Sequence, residues 1–166
     1  MTPQLLVVTK MQLKEKSLSP ELYETIREDL IRHEGYKEEI YLCSEGHPTF
    51  GVGHLVLPTD PEAEWPVGTP VEKSRVEEVF DHDLKVMINE TEKLFTGLDT
   101  YPDQCVRVLV NMCFNIGRPR LSKFTKMVAA VKRRDFVEAA NQMVDSRWYN
   151  QVGRRSVELE NWMRNV

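Results

Sequence analysis

The sequence has no run approaching the ~20 apolar residues that cross a membrane as a helix, so a helical membrane protein is excluded. Its most apolar N-terminal stretch, Leu5-Leu6-Val7-Val8, is too short for a signal-peptide core and is followed closely by Lys10, so no export signal is expected. Cysteine is scarce and odd in number: Cys43, Cys105 and Cys113. Three cysteines cannot form the disulfide framework of a small secreted domain, and reduced thiols in a cytoplasm are expected. Cys105 and Cys113 stand eight apart in an apparent helix, about 12 Å along its axis at about 1.5 Å per residue. They cannot bridge each other there and read as small buried apolar groups. Internal repeats and low-complexity tracts are also missing, which excludes solenoids and disordered linkers.

What is present suits one domain, or two small lobes, with a core buried without staples: 166 residues, 41% hydrophobic and 29% charged. The net charge of −4 is unevenly spread. Arg118 to Arg155 holds ten Lys and Arg against three Asp and Glu, a net +7, which leaves −11 for the rest. A basic segment suits an anionic polymer, although a solvated helical surface explains it equally well.

Residues 1–18 are weakly patterned and read as a tail or a short extra element. Ser19-Pro20 is a helix start, with Ser as cap and Pro at the first helical position. Leu22, Ile26 and Leu30 form an apolar stripe, and Gly35 stops the helix. Residues 36–57 contain short β-type runs at Ile40–Leu42, Thr49–Gly53 and Leu55–Leu57, joined by turn chemistry at Ser44–Pro48. These predict a small antiparallel sheet of two or three strands, followed by a Pro-rich loop over 58–70. From Val71 the pattern is helical: about Val71–Phe95 as one helix or two, a buried helix at Tyr101–Asn115 broken by Gly117-Arg118-Pro119, then Phe124–Val131, Phe136–Val144 and Val157–Met163. The fold class is α+β with helix dominant.

Glu34 continues the Leu22–Ile26–Leu30 stripe at the helix end. Partial desolvation there favours the protonated form of a carboxyl group, and the helix dipole at that end also disfavours an anion. A proton donor at a glycosidic oxygen needs such an environment. A surface glutamate is the plainer reading. Cys43 ends the first strand and Thr49 begins the second, so tight turns can bring both toward one point; taken alone they read as a packed thiol and an ordinary strand residue. Gly51-Val52-Gly53-His54 lacks the third glycine of a phosphate loop. The spacing of Cys43, His47 and His54 matches no standard zinc pattern, so no metal and no cofactor is expected.

The runs His33-Glu34-Gly35-Tyr36, Ile40-Tyr41 and Glu45–Leu55 resemble the active-site region of the phage-type lysozymes, the T-even phage lysozymes and their endolysin relatives. That family carries Glu, eight residues, Asp or Cys, five residues, Thr, and Glu34, Cys43 and Thr49 match without a gap. Asn111–Gly117, Ser146–Gln151 and Arg155 match a second block, and the resemblance spans about residues 22 to 163. It implies a lysozyme-like fold: a β lobe at about 36–70, a connecting helical segment at about 71–100 and a helical lobe at about 101–166, with a cleft between lobes. It implies a muramidase that hydrolyses the β-1,4 bond between N-acetylmuramic acid and N-acetylglucosamine in bacterial peptidoglycan. Glu34 would be the general acid. Cys43 would stand where most relatives carry aspartate, and Thr49 would help hold the attacking water. Arg155 would pair with Glu34. Leu55 and Phe114 would line the sugar cleft with Glu45 on its rim, and Asp83 would pair structurally with His54.

This sequence departs from better-known relatives at His33, where they carry an acid, and in the loop at 58–70. A thiol at position 43 admits inversion with a held water or a covalent thioglycosyl intermediate. A lytic transglycosylase would yield anhydro sugars instead of reducing ends, and a non-catalytic wall-binding module would bind without turnover. The implied setting is an endolysin in the host bacterial cytoplasm, released by a holin-type protein, monomeric, with no nucleic-acid or membrane partner.

Overall fold

The computed structural model describes residues 18–166, so the tail or short element expected at 1–18 lies outside the described residues but for Leu18. The chain divides into two compact units: residues 27–89, and residues up to 26 together with 90–166.

Helix α1, Pro20–Glu34, begins as its sequence predicts. The Leu22 N–H donates to the Ser19 hydroxyl at 3.1 Å, which satisfies one of the donors left over at a helix start. Leu22, Ile26 and Leu30 are all buried. Gly35 closes the helix with φ +84, and its N–H donates to the Ile31 carbonyl at 2.9 Å.

The unit at 27–89 continues with β1 (Lys37–Leu42), β2 (Pro48–Gly51) and β3 (His54–Leu55), an antiparallel sheet in the order β1-β2-β3. Tyr41 stands opposite Thr49, and Thr49 opposite Leu55. The loop over 58–70 holds one 3-10 turn, Pro61–Glu64, and its far end runs along the outer edge of β1. The Ile40 N–H donates to the Thr69 carbonyl at 2.9 Å, and the Gly68 N–H returns a bond to Ile40 at 2.7 Å. Covering that edge removes an exposed row of backbone donors and acceptors. Residues 71–95 form one helix, α2 (Lys73–Leu94), rather than two. Its Val76 and Val79 join Ile40, Phe50 and Val71 in a small apolar cluster.

The second unit is helical. After a 3-10 turn at Leu98–Thr100 come α3 (Asp103–Ser122), α4 (Thr125–Lys132), α5 (Phe136–Val144), α6 (Arg147–Val152) and α7 (Arg154–Arg164). The break expected at Gly117 is there, with φ 80 and ψ 156, and Pro119 begins a last short helical stretch. Helix α7 packs against α3, α5 and α6, and α5 against α4. Leu109, Met112, Leu121, Met127, Ala140 and Met143 are among the side chains sealed inside. Among the described residues no helix is long and apolar enough to cross a membrane.

Candidate active site

In the unit at 27–89, the end of α1 and the β-turns carry the residues of interest. Glu34 is the last residue of α1 and is half-buried. The turn between β2 and β3 passes directly against it: a Cβ on Gly53 would lie 2.9 Å from Glu34 Oε2 and 3.3 Å from its carboxyl carbon. Gly53 also has φ +63, in the left-handed region that L side chains avoid. Only glycine both makes that turn and leaves room for the acid.

Cys43 stands at the end of β1, where its N–H donates to the His47 carbonyl at 3.0 Å. Its sulfur is half-exposed and free of any disulfide. The backbone N–H groups of His47 and Glu45 face the sulfur, with the Thr49 hydroxyl behind them, and these donors hold the thiol below its ordinary pKa against partial desolvation and the Glu45 carboxylate. Thr49 is buried, and its hydroxyl donates to the His47 carbonyl at 2.8 Å. That hydroxyl gives its proton to the turn and adds to the polar surroundings that lower the thiol's pKa. Glu45 lies exposed on the same turn, and Leu55 is exposed opposite Thr49.

His54 sits behind this turn between two carboxylates. Its Nδ1 is 2.7 Å from Asp83 on α2 and its Nε2 is 2.7 Å from Asp60 in the loop. Burial alone would lower its pKa, but hydrogen bonds to Asp83 and Asp60 and their charges raise it. Asp60 also accepts the Leu57 N–H at 2.8 Å. Arg75 on α2 grips Glu62 with two bonds, 2.6 and 3.2 Å, and Glu62 is only 2% exposed. The Asp83–His54 pair implied by the resemblance is present, and Asp60, Glu62 and Arg75 extend it. Sequence reasoning missed them because an Asp and a Glu in a Pro-rich loop read as turn and surface residues.

In the helical unit, Arg155 donates from Nε to the Asn111 side-chain oxygen at 2.9 Å, and Asn111 is buried. Phe114 is half-buried on α3. The Ser146–Gln151 motif builds a joint. Ser146 caps α6 by accepting the Tyr149 N–H at 3.2 Å, and buried Trp148 donates to Asn115 at 2.9 Å. Ser156 Oγ reaches the Tyr149 carbonyl at 2.6 Å and the Gly153 carbonyl at 2.7 Å. Beside this joint lies a pocket of about 500 Å³ with Arg120, Lys123, Lys126 and Arg147 around Phe124 and Trp148. Cys105 and Cys113 are fully buried, as expected of small apolar groups in a buried helix, and burial pushes the Cys105 thiol up to about 12.

A helix-dominated α+β fold with a small three-stranded antiparallel sheet is the architecture of a lysozyme-like glycoside hydrolase. The profile of the phage lysozyme family matches residues 31–164, and the chain belongs to that family. It is 29% identical over 148 residues to a protein named probable T4-type lysozyme 2 of Dictyostelium discoideum, covering 77% of this chain and 87% of the relative. It is 26% identical over 154 residues to probable T4-type lysozyme 1 of the same organism, covering 80% and 89%. It is 27% identical over 150 residues to the pre-baseplate central spike protein Gp5 of Enterobacteria phage T4, covering 80% of this chain and 26% of that longer protein.

Proposed function

We propose that this lysozyme is an endolysin-type muramidase that hydrolyses the β-1,4 bond between N-acetylmuramic acid and N-acetylglucosamine, with Glu34 as general acid. The observation that carries the reading is the seat of Glu34: a half-buried carboxyl group against a turn that only Gly53 permits. A general acid must hold its proton in a fixed place at the leaving oxygen. Cys43 and Thr49 serve the opposite, nucleophile or water, side. The donors around the Cys43 sulfur lower its pKa, in the direction of the negative charge that aspartate supplies in most relatives. A thiolate there either orients and deprotonates a water or attacks the sugar carbon itself.

Leu55, Glu45 and Phe114 are the proposed sugar contacts. Arg155, held by Asn111, and His54, held by Asp83, are supporting residues. The basic pocket at Arg120, Lys123, Lys126 and Arg147 supports an anionic wall polymer as substrate. In this reading the enzyme collects in the host cytoplasm as a monomer and reaches the wall after a holin-type protein opens the membrane.

The test is Glu34→Gln. Clearing of a peptidoglycan suspension falls by at least about a hundredfold, the usual share of a positioned acid, while the circular dichroism spectrum stays unchanged. Retained clearing sinks the assignment of Glu34. Mass spectrometry of the wild-type products shows reducing-end sugars; 1,6-anhydro ends would make the enzyme a lytic transglycosylase instead.

A further inference from the structure

The helical unit distributes its positive charge unevenly. Arg118 is paired with Glu90 at 2.5 Å, and Arg133 faces Asp135 at 3.8 Å. Arg134 donates to the Thr100 hydroxyl at 3.0 Å, and Arg155 to Asn111 at 2.9 Å. Arg120, Lys123, Lys126 and Arg147 gather instead around the pocket of about 500 Å³ beside the α6 joint. No acidic residue lines that pocket, and among the described residues none of the four forms an ion pair. Glu138 feels the charge of Lys126, but its carboxylate is already bound by the Gln142 and Asn141 amides at 2.7 and 3.3 Å. Four like charges around one pocket repel one another, and an anion among them relieves that repulsion.

The rest of the lining narrows the chemistry. Trp148 and Met127 are buried, and Phe124 meets Trp148 edge to face with ring centroids 6.4 Å apart. The Trp148 N–H is committed to Asn115, so this wall is apolar and fixed. The cations, the Thr125 hydroxyl and the Gln151 amide are exposed around it. A pocket of this size belongs with those that hold small molecules, about 300–1,000 Å³, and is far larger than a single ion needs. The ligand therefore joins an anion to an uncharged body with some apolar surface. Wall peptides carry ammonium groups as well as carboxylates, and the pocket has no acid to receive them. Nucleic-acid bases need open ring faces to stack on, and Trp148 is only 3% exposed.

We propose that this pocket binds the phosphodiester-linked sugar or polyol chains that bacterial walls carry beside peptidoglycan. The four cations hold the phosphates, and the Phe124–Trp148 wall packs against the sugar or polyol carbons. Such a contact retains the enzyme on wall material without taking part in bond cleavage. The wall as the source of the ligand rests on the muramidase reading; the affinity for the phosphodiester does not.

The experiment titrates the full, nitrogen-15-labelled chain with a synthetic glycerol phosphate trimer joined by phosphodiesters, following the Trp148 indole and Lys126 amide signals by NMR. Wild type binds with a Kd of about 1 mM or tighter in about 50 mM salt, and about 500 mM salt weakens it at least about tenfold, because exposed charges are screened. The double variant Lys123→Gln, Arg147→Gln binds at least about tenfold more weakly at low salt, through loss of two charge-assisted contacts. Both side chains are exposed, so the fold is kept. Unmoved signals, or equal affinity in the variant, overturn the proposal. Equal or tighter binding of N-acetylmuramoyl-L-alanyl-D-glutamate overturns it in favour of a carboxylate site, and of hexathymidylate in favour of a nucleic-acid site. Lost trimer binding leaves the muramidase reading untouched, whereas full clearing by Glu34→Gln sinks that reading and leaves the trimer's affinity standing.

Discussion

Residues 27–89 and the helical unit bury polar groups of different kinds. In the first, Asp29, Thr49 and Glu62 are buried, and the charged clamps His54–Asp60–Asp83 and Arg75–Glu62 tie loop, strand and helix together. In the second, Thr91, Asn111 and Ser156 are neutral, and Glu160 is the charged exception, paired with Arg164 at 2.7 Å. The apolar resources differ in the same sense. The sheet's cluster rests on five buried side chains, while α3 alone buries Val106, Val108, Leu109, Val110 and Met112. A small unit with few apolar groups leans on directional, ionisable contacts. Those contacts tie strand, loop and helix in one geometry, and through His54 they make the unit sensitive to pH.

Substitutions can break this contrast, and the largest effect belongs in the helical unit. Leu109→Ala deletes methyl groups from a side chain with no exposed surface. It lowers unfolding free energy by about 2–5 kcal/mol, read in urea titration, while the folded enzyme clears peptidoglycan at the wild-type rate. A clearing defect at low temperature would show that the helical core shapes the chemistry directly.

Gly53→Ala should do the reverse. It costs about 1–2 kcal/mol for the left-handed backbone, and its methyl meets the Glu34 carboxyl at 2.9 Å. The clearing rate drops about tenfold or more, because small displacements of a reacting group are costly. Unchanged clearing with Gly53→Ala would mean that the position of Glu34 is not critical.

Asp60→Asn sharpens the pH contrast with the smallest effect. The amide oxygen still accepts from His54 but carries no charge, so about 1 kcal/mol is lost near pH 6. The raised pKa of His54 means that the stability from its protonated form is fully present below about 6.5 and fades as pH rises through the raised value. The depressed pKa of Asp60 means that its share is lost only at strongly acid pH. A neutral imidazole has one N–H for two carboxylates. The gap in melting temperature between wild type and variant therefore narrows from pH 6 to pH 9. A constant gap would remove His54 from the explanation.

The first helix was legible end to end, because Ser19, Pro20 and Gly35 each carry a local signal. The sheet was legible as two or three short runs bounded by turn residues, but its bounds were not: β1 begins at Lys37 rather than Ile40, and β3 ends at Leu55 rather than Leu57. Helix α6 was missed: six residues hold too little periodicity to register, and only its motif stood out. Glu34, Cys43 and Thr49 were legible through a family spacing. What Gly53, Asp60 and Asn111 contribute depends on contacts that sequence does not order. Gly53 faces Glu34, Asp60 meets His54, and Asn111 lies 44 residues from the Arg155 it receives.

The Glu62–Arg75 pair has a consequence for how this sequence can change. Glu62 is nearly sealed from water, and Arg75 donates two hydrogen bonds to it. Removing Arg75 leaves a buried carboxylate uncompensated, which is far worse than replacing both partners by apolar groups of similar size. Removing Glu62 is milder, because Arg75 keeps Glu78 at 3.6 Å and Asp60 at 3.9 Å. Of two positions 13 apart, the arginine on α2 is therefore the one that a single replacement cannot change cheaply while the loop glutamate stays.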